Sequence, residues 1–188
     1  PSLYVGHAHW NADAFYSLIS YIIQLAVQPE SVNECSVLNV TVEETGELLI
    51  ADNGRGLPVD RVRINNSIER PKLEHVLLWI WERHPHYQYY KEFGFLDYLG
   101  CVLNAVTKSL QVETNINGEK YELSCAPGKI TSPLQKIGLS TERGTRLTFL
   151  PDPELFPDWT FDDGRLSEIL QSLAAQYPQT QFRFHHTS

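Results

Sequence analysis

The sequence predicts an α+β fold, a two-layer sandwich in which one mixed, mostly antiparallel sheet is covered on one face by helices. Three observations favour this class. Apolar residues recur at helical spacing in four segments, other short segments alternate or are rich in β-branched residues, and helices and strands interleave unevenly. A chain of 188 residues that is 42% hydrophobic and has no internal repeat can bury one core. We therefore expect a single domain over residues 1–188.

The first predicted helix has the clearest pattern. Asn11 or Asp13 can cap its N-terminus, and it should end before Pro29. Its broad apolar face consists of Phe15, Leu18, Ile19, Ile22, Ile23, Ala26 and Val27. Three more helices are expected at 71–83, at 95–107 and at 166–173, the last after a cap at Asp162 or Asp163.

Six segments are predicted to be strands: 36–42, 47–51, 110–113, 119–124, 145–150 and 179–185. A Glu-Glu-Thr-Gly turn joins the first two into a hairpin, and a tight turn at 115–118 joins the next two. The segment 128–144 has neither period and is predicted to be a long polar link. The first hairpin places Asp52 at its exit.

The run from Leu48 to Pro58 is an apolar strand that stops at a carboxylate and then turns through two glycines. Gly54 and Gly56 can adopt φ > 0 and lack Cβ, so the loop can turn sharply and lie against a ligand. Asp52 suits a ligand amino group. Taken alone, the Asn-Gly pair is more typical of an ordinary hairpin exit.

The longer string Ala-Asp-Asn-Gly-Arg-Gly-Leu-Pro at 51–58 resembles the signature of the GHKL ATPases, most closely the N-terminal ATPase domain of the gyrase B or topoisomerase IV B subunit. Three more stretches, 3–6, 89–105 and 144–153, resemble the family's opening motif, lid and Gly-Thr strand in the same order. The resemblance covers nearly the whole chain. It implies the Bergerat (GHKL) ATP-binding fold, and the family's transducer domain is not among these residues.

The resemblance also implies residue roles. Asp52 would accept the adenine amino group, Thr145 would support it through water, and Gly54, Gly56 and Pro58 would shape the wall of the pocket. In the lid, the matching residues are Tyr90, Lys91, Gly94 and Gly100. Lys91 has an alternative interpretation as a solvated loop lysine.

The family's catalytic glutamate and magnesium-binding asparagine should lie four residues apart on the first helix. Counting from Gly6, these places fall on Ser20 and Gln24, or on Ile19 and Ile23 if the preceding loop is one residue shorter. We prefer Ser20 and Gln24, because both then lie on a polar stripe. Neither register offers a carboxylate, and Gln24 is only a weak metal ligand. Efficient hydrolysis by the family mechanism is therefore expected to be lost.

The lid departs from the family in the same direction. The segment from Gly94 to Gly100 keeps two glycines and introduces Phe95, Tyr98 and Asp97, where the family has a glycine-rich run that wraps phosphates. A triphosphate should be disfavoured there. In the family the arginine that matches Arg55 pairs with an acid of the first helix, and this chain has Gln28 at the matching place. The charged pair would then be reduced at most to a charge-to-amide hydrogen bond, or Arg55 would turn to a different ligand or to solvent.

Composition excludes some functions. A formal charge of −8 argues against a nucleic-acid surface, and no apolar run approaches the length of a membrane helix. Three cysteines without close spacing fit buried thiols in a reducing cytoplasm. The histidine pairs at 7 and 9, 84 and 86, and 185 and 186 lack the companions of a zinc site.

These observations favour a gyrase-B-like pseudo-ATPase. It would bind an adenine nucleotide, ADP or ATP, without strong magnesium dependence, and serve as a ligand-binding or protein-interaction module. The alternatives are the ATP-hydrolysing domain of a divergent type II topoisomerase B subunit, and a site adapted to another planar ligand. A protein partner would use the aromatic lid region, which contains Trp79, Trp81, Tyr87, Tyr89, Tyr90, Phe93, Phe95 and Tyr98.

Overall fold

The computed structural model describes residues 11–27, 34–63, 69–78 and 99–187. The helices in these ranges are α1 (Ala12–Val27), α2 (Lys72–Leu78), α3 (Leu99–Val106) and α4 (Asp163–Gln176). The strands are β1 (Val37–Val42), β2 (Leu48–Asp52), β3 (Arg61–Arg63), β4 (Glu69–Pro71), β5 (Thr107–Ile116), β6 (Glu119–Ala126), β7 (Lys129–Leu139), β8 (Gly144–Pro151) and β9 (Gln181–His186).

Seven strands form one mixed sheet in the order β7-β6-β5-β8-β2-β1-β9. Strands β1 and β9 pair in parallel, and every other neighbouring pair in this sheet is antiparallel. Strands β3 and β4 form a separate two-stranded ribbon, which the sequence pattern did not predict. The predicted α+β class with a mostly antiparallel sheet is confirmed.

One face of the sheet is buried under the helices. Alternate residues of β1 and β2 are buried, which is the period-two pattern of a sheet packed on one side. Helix α1 packs its apolar face on this sheet, and all seven apolar positions predicted for that face are buried. Burying a face of this width is what stabilises the helix, since short helices are marginal on their own.

Helix α1 contacts two of the other three described helices. It contacts α3, which packs on β5 and β6, and it contacts α4, which packs beside the edge strand β9. Rings from α1, from β8 and from the segment between β8 and α4 join in one aromatic cluster of Phe15, Tyr16, Phe149, Phe156, Trp159 and Phe161. Tyr16 Oη accepts a hydrogen bond of 2.6 Å from the backbone N–H of Asp162, the cap of α4.

The prediction of a polar link over 128–144 was wrong, because most of that segment is strand β7. Its polar sequence gives no strand pattern, since β7 lies at the sheet edge and most of its side chains are exposed. Pairing with β6 creates this strand, with shifts of register along the way. Strand β5 is also longer than predicted and begins directly after α3. Helix α3 therefore ends at Val106, one residue before the predicted end of the third helix.

The tight turn after β5 is narrower than predicted and contains Asn117 and Gly118, both with positive φ (54° and 80°). The second helix is described to Leu78, and its predicted continuation lies outside the described residues, as does the start of the third. In the part of the chain that the structure describes, no helix is long and apolar enough to cross a membrane.

Candidate ligand-binding site at the end of β2

Asp52 is the last residue of β2 and points toward the helical layer. It is only 8% exposed, and its Oδ1 accepts a hydrogen bond of 2.7 Å from the backbone N–H of Gly54. This contact closes the chain into a tight turn right after the strand. The carboxylate is therefore held in a fixed direction at the point where β2 leaves the sheet.

Thr145 lies beside Asp52 on β8. Ala51 pairs with Arg146, so continuing the antiparallel register by one residue brings Asp52 and Thr145 side by side on the buried face. Thr145 is 2% exposed, and its Oγ1 is buried with no hydrogen-bond partner among the described residues. Leaving a buried hydroxyl unpaired costs about 1–3 kcal/mol, so this atom fits a bound water or a polar ligand atom.

The chain reversal after Asp52 depends on close backbone packing. Gly144 has φ of 120°, and a Cβ built there would lie 2.0 Å from the backbone carbonyl oxygen of Asp52. Gly56 has φ of 83°, and its Cβ would lie 2.4 Å from the carbonyl oxygen of Asn115 on β5. Of the two loop glycines expected to adopt positive φ, Gly56 does and Gly54 does not.

The loop is also anchored to the sheet by hydrogen bonds. The backbone N–H of Leu57 donates to the buried Thr114 Oγ1 over 2.6 Å. Pro58 is partly exposed and Arg55 is exposed, while Gln28 lies outside the described residues. The structure therefore brings Asp52 on β2, Thr145 on β8 and the loop residues Gly54 and Gly56 together, and the loop is held by contacts to β5.

Ser20 and Gln24, the preferred places for the family's acid and metal ligand, face α4. Both line a groove of about 310 Å³ between α1 and α4, together with Tyr16, Ser17, Tyr21, Arg165 and Ile169. Gln24 Nε2 donates a 3.0 Å hydrogen bond to Tyr177 Oη at the end of α4. Neither Asp52 nor Thr145 lines this groove, so the structure does not bring these two predicted positions to the Asp52 site.

The alternative register, Ile19 and Ile23, supplies no polar group. Ile19 and Ile23 are fully buried in the core. From Ala12 to Val27 the only carboxylate is that of Asp13, in the first turn of α1. Asp13 is exposed, and its Oδ1 lies 2.5 Å from Arg165 on α4. No position within α1 therefore presents an acid toward Asp52.

The lid residues Tyr90, Lys91 and Gly94 lie outside the described residues. Gly100 is buried in the first turn of α3. On the same helix, Asn104 Nδ2 donates 3.0 Å to the carbonyl oxygen of Leu77, which ties α3 to the end of α2. Among the residues that the structure describes, no group of three or more His, Cys, Asp or Glu side chains could hold a metal ion.

Three residues near the site were not singled out from the sequence. Asn53 bonds to the start of β1, Thr114 supports the loop, and Cys35 is buried close to Asp52. Burial, and to a smaller degree the charge of Asp52, raises the pKa of the Cys35 thiol to about 12. Only Asn53 carried a signal in the sequence, as part of the Asn-Gly turn.

The strand order, the helical layer on one face and the Asp-Asn-Gly-Arg-Gly loop at the end of a central strand are those of a GHKL-type fold. The structure is similar to a crystal structure of the 43K ATPase domain of Thermus thermophilus gyrase B in complex with an aminocoumarin, with a TM-score of 0.79 and 24% identity. The match covers 97% of this chain and 46% of that chain.

Sequence relatives agree with this fold. The chain is 28% identical over 179 residues to the DNA gyrase B protein of Clostridium acetobutylicum, covering 93% of this chain and 27% of the relative. It is 29% identical over 189 residues to that of Campylobacter jejuni, covering 98% and 24%. A type 2 topoisomerase B protein of Aquifex aeolicus is 27% identical, with 97% and 23% covered.

This chain is a homologue of DNA gyrase B proteins, and its fold is that of the gyrase B ATPase domain. The resemblance predicted from the motifs is confirmed. The chain spans about a quarter of the length of these curated relatives. No protein-family model matches it.

Proposed function

We propose that this domain binds an adenine nucleotide, or a planar ligand of similar polarity, against Asp52 and Thr145 and does not hydrolyse ATP efficiently. The observation that carries the proposal is a contrast between two parts of the site. Its floor, formed by Asp52 and Thr145, has a buried carboxylate beside a buried hydroxyl, whereas α1 presents no acid toward this floor.

The floor supports recognition of an amino-substituted heterocycle. The Asp52 carboxylate can accept a hydrogen bond from an exocyclic amino group, and Thr145 Oγ1 can bond a ring nitrogen directly or through one water. Both groups are buried, so their hydrogen bonds would form with little competition from solvent. A purine base or a comparable heterocycle is the class of ligand that satisfies both.

Hydrolysis requires a base that removes a proton from the attacking water. In α1 the one carboxylate, Asp13, is exposed and ion-paired with Arg165 at the α4 side of the helix. A serine hydroxyl such as that of Ser20 is too weak a base to replace an acid, and Ser20 also faces the α1–α4 groove. Magnesium would find at most an amide oxygen from Gln24 on that same side, so we propose nucleotide binding without strong magnesium dependence.

The second candidate function is the ATP-hydrolysing domain of a divergent type II topoisomerase B protein. The observation that favours it is the identity of 27–29% to gyrase B and type 2 topoisomerase B proteins over nearly the whole chain. In this case an acid outside the described residues would activate water.

One experiment separates the two. Calorimetry with adenosine, ADP and ATP, with and without magnesium, should be run beside a phosphate-release assay on the wild type and on Asp52→Asn. The proposed function expects adenosine to bind, phosphates and magnesium to add little, and Asp52→Asn to weaken adenosine about tenfold or more. Magnesium-dependent phosphate release that disappears in Asp52→Asn would instead establish the second function.

We also propose that the domain acts in the cytoplasm as an interaction module, with a protein partner at the aromatic region between Trp79 and Tyr98. This proposal rests on the concentration of Trp, Tyr and Phe in that part of the sequence and on the resemblance to gyrase B proteins. A chain in which Tyr87 and Tyr89 are replaced by Ser should lose the partner in pull-down experiments while adenosine binding persists.

A further inference from the structure

The side chain of Asn53 joins the Asp52 loop to the start of β1. Its Oδ1 accepts hydrogen bonds from the backbone N–H groups of Val37 (2.9 Å) and Ser36 (3.0 Å), and its Nδ2 donates to Ser36 Oγ over 3.0 Å. The backbone N–H of Asn53 also donates to the carbonyl oxygen of Val37 over 3.2 Å. We call this set of four hydrogen bonds the Asn53 clasp.

The clasp continues into β9. The carbonyl oxygen of Ser36 accepts a 2.8 Å hydrogen bond from the backbone N–H of Gln181, and that of Cys35 accepts a 3.0 Å bond from Thr180 Oγ1. Thr180 and Cys35 are both buried. Residues 35–37 are thus held between the Asp52 loop on one side and the beginning of β9 on the other.

We infer that Asn53 is a positioning residue for ligand binding, which fixes the direction of the Asp52 carboxylate by fastening the residue after it to β1. Asp52 ends β2, and the hydrogen bond from the Gly54 N–H to its carboxylate spans Asn53. Any rotation of the backbone at Asn53 therefore displaces Gly54 relative to the Asp52 carboxylate. The inference rests on the proposed function for its effect on affinity, but the geometry of the clasp stands independently of any ligand.

Substitution at Asn53 can separate positioning from bulk stability. Asn53→Ala removes every hydrogen bond of the Asn53 side chain. Asn53→Asp keeps both acceptor bonds from Ser36 and Val37 and lets the Ser36 hydroxyl donate in place of the lost amide. Asn39→Ala is the matched control, because Asn39 lies on β1 and takes part in none of the four bonds.

The test combines two readouts on the full chain. The first is the hydrogen-exchange protection of the Gly54 amide measured by NMR, which reports whether its bond to Asp52 persists and needs no ligand. The second is the dissociation constant for adenosine from calorimetry. Asn53→Ala should lower Gly54 protection and adenosine affinity about tenfold each, as expected for losing bonds of this kind. Asn53→Asp should retain protection and stay within about threefold in affinity, and Asn39→Ala should change neither.

The outcomes distinguish this inference from the proposed function. Unchanged Gly54 protection in Asn53→Ala, or equal losses in Asn53→Ala and Asn53→Asp, would overturn the positioning role. If the wild type does not bind adenosine, the proposed function fails, while the Gly54 readout still decides whether the clasp orients Asp52. A uniform loss of protection over the whole chain in Asn53→Ala would also overturn it, because that result indicates a general stability role.

Discussion

The floor of the candidate site and the outer face of α1 differ in how they are built. Asp52, Gly56, Gly144 and Thr145 lie on or beside central strands, and each packs against backbone or sits in the core. The polar residues of α1 line an open groove with α4 instead. The part of the site that carries the family signature therefore belongs to the sheet, whereas side chains on the outer face of α1 can change with little effect on folding.

The largest change in stability is expected from a substitution at Gly144, which packs against the backbone of Asp52. Gly144→Ala should lower the free energy of unfolding by about 3 kcal/mol or more, because the residue has positive φ and its new Cβ would meet the carbonyl of Asp52. Gly138→Ala is the control, since a Cβ there has no heavy atom within 4 Å. Urea denaturation of both variants measures the difference, and equal stabilities would refute the packing account.

The next prediction concerns the stability of the protein at high pH, where the buried thiol of Cys35 beside Asp52 matters. The pKa of Cys35 is raised from 9.0 to about 12, chiefly by burial, so the folded state keeps the thiol protonated after the unfolded chain has lost that proton. This contribution is complete below pH 9 and is lost as the pH rises toward 12, at up to about 1.4 kcal/mol per pH unit.

Cys35→Ala should therefore lose less stability than the wild type between pH 9 and pH 11. Urea midpoints measured across this range test the prediction. Parallel losses in the two proteins would show that the Cys35 thiol is as hydrated when folded as when unfolded.

A substitution at Thr145 has a smaller expected effect and separates ligand binding from folding. Thr145→Val removes a buried hydroxyl that has no partner among the described residues, so stability should stay equal or rise by about 1 kcal/mol. Adenosine affinity should fall about tenfold in calorimetry. Thr148→Val, a change on the same strand at a position facing the other side of the sheet, should leave affinity unchanged. An affinity loss shared by both variants would exclude a specific contact by Thr145.

The smallest effect is expected on the outer face of α1. Ser20→Glu restores a carboxylate at the position that counting from Gly6 assigns to the family's acid, but this position faces α4. Stability should change by less than about 0.5 kcal/mol, and no ATP hydrolysis should appear. Magnesium-dependent phosphate release in Ser20→Glu that is absent in Ser20→Gln would show that the α1 face does reach the nucleotide.

Much of the fold could be predicted from the sequence, because the buried residues of most helices and strands recur with the period of that secondary structure. Helix α1 shows this best, since its seven predicted core positions are all buried. Strand β7 could not be predicted, because an edge strand with mostly exposed polar residues has no pattern and depends on pairing with β6. The ribbon of β3 and β4 has only three residues per strand, too few for a period to be visible.

The site was predictable to a different degree at each level. The signature at 51–58 located the floor, because strand, carboxylate and glycines are consecutive in the chain. The side of α1 on which Ser20 lies could not be predicted from the sequence. Counting residues from Gly6 passes through a loop, and one inserted residue in that loop moves the counted position to another side of the helix. The Asn53 clasp joins residues far apart in the chain, and only the folded sheet brings them together.

The close approach of Gly144 to Asp52 has an evolutionary consequence. Because the two backbones meet there, purifying selection for a folded protein alone is enough to keep this glycine, whether or not any nucleotide is ever bound. The polar residues of α1 are free of this constraint, because they line an open groove with α4. Retention of Gly144 is therefore evidence of the fold and carries no information on nucleotide binding.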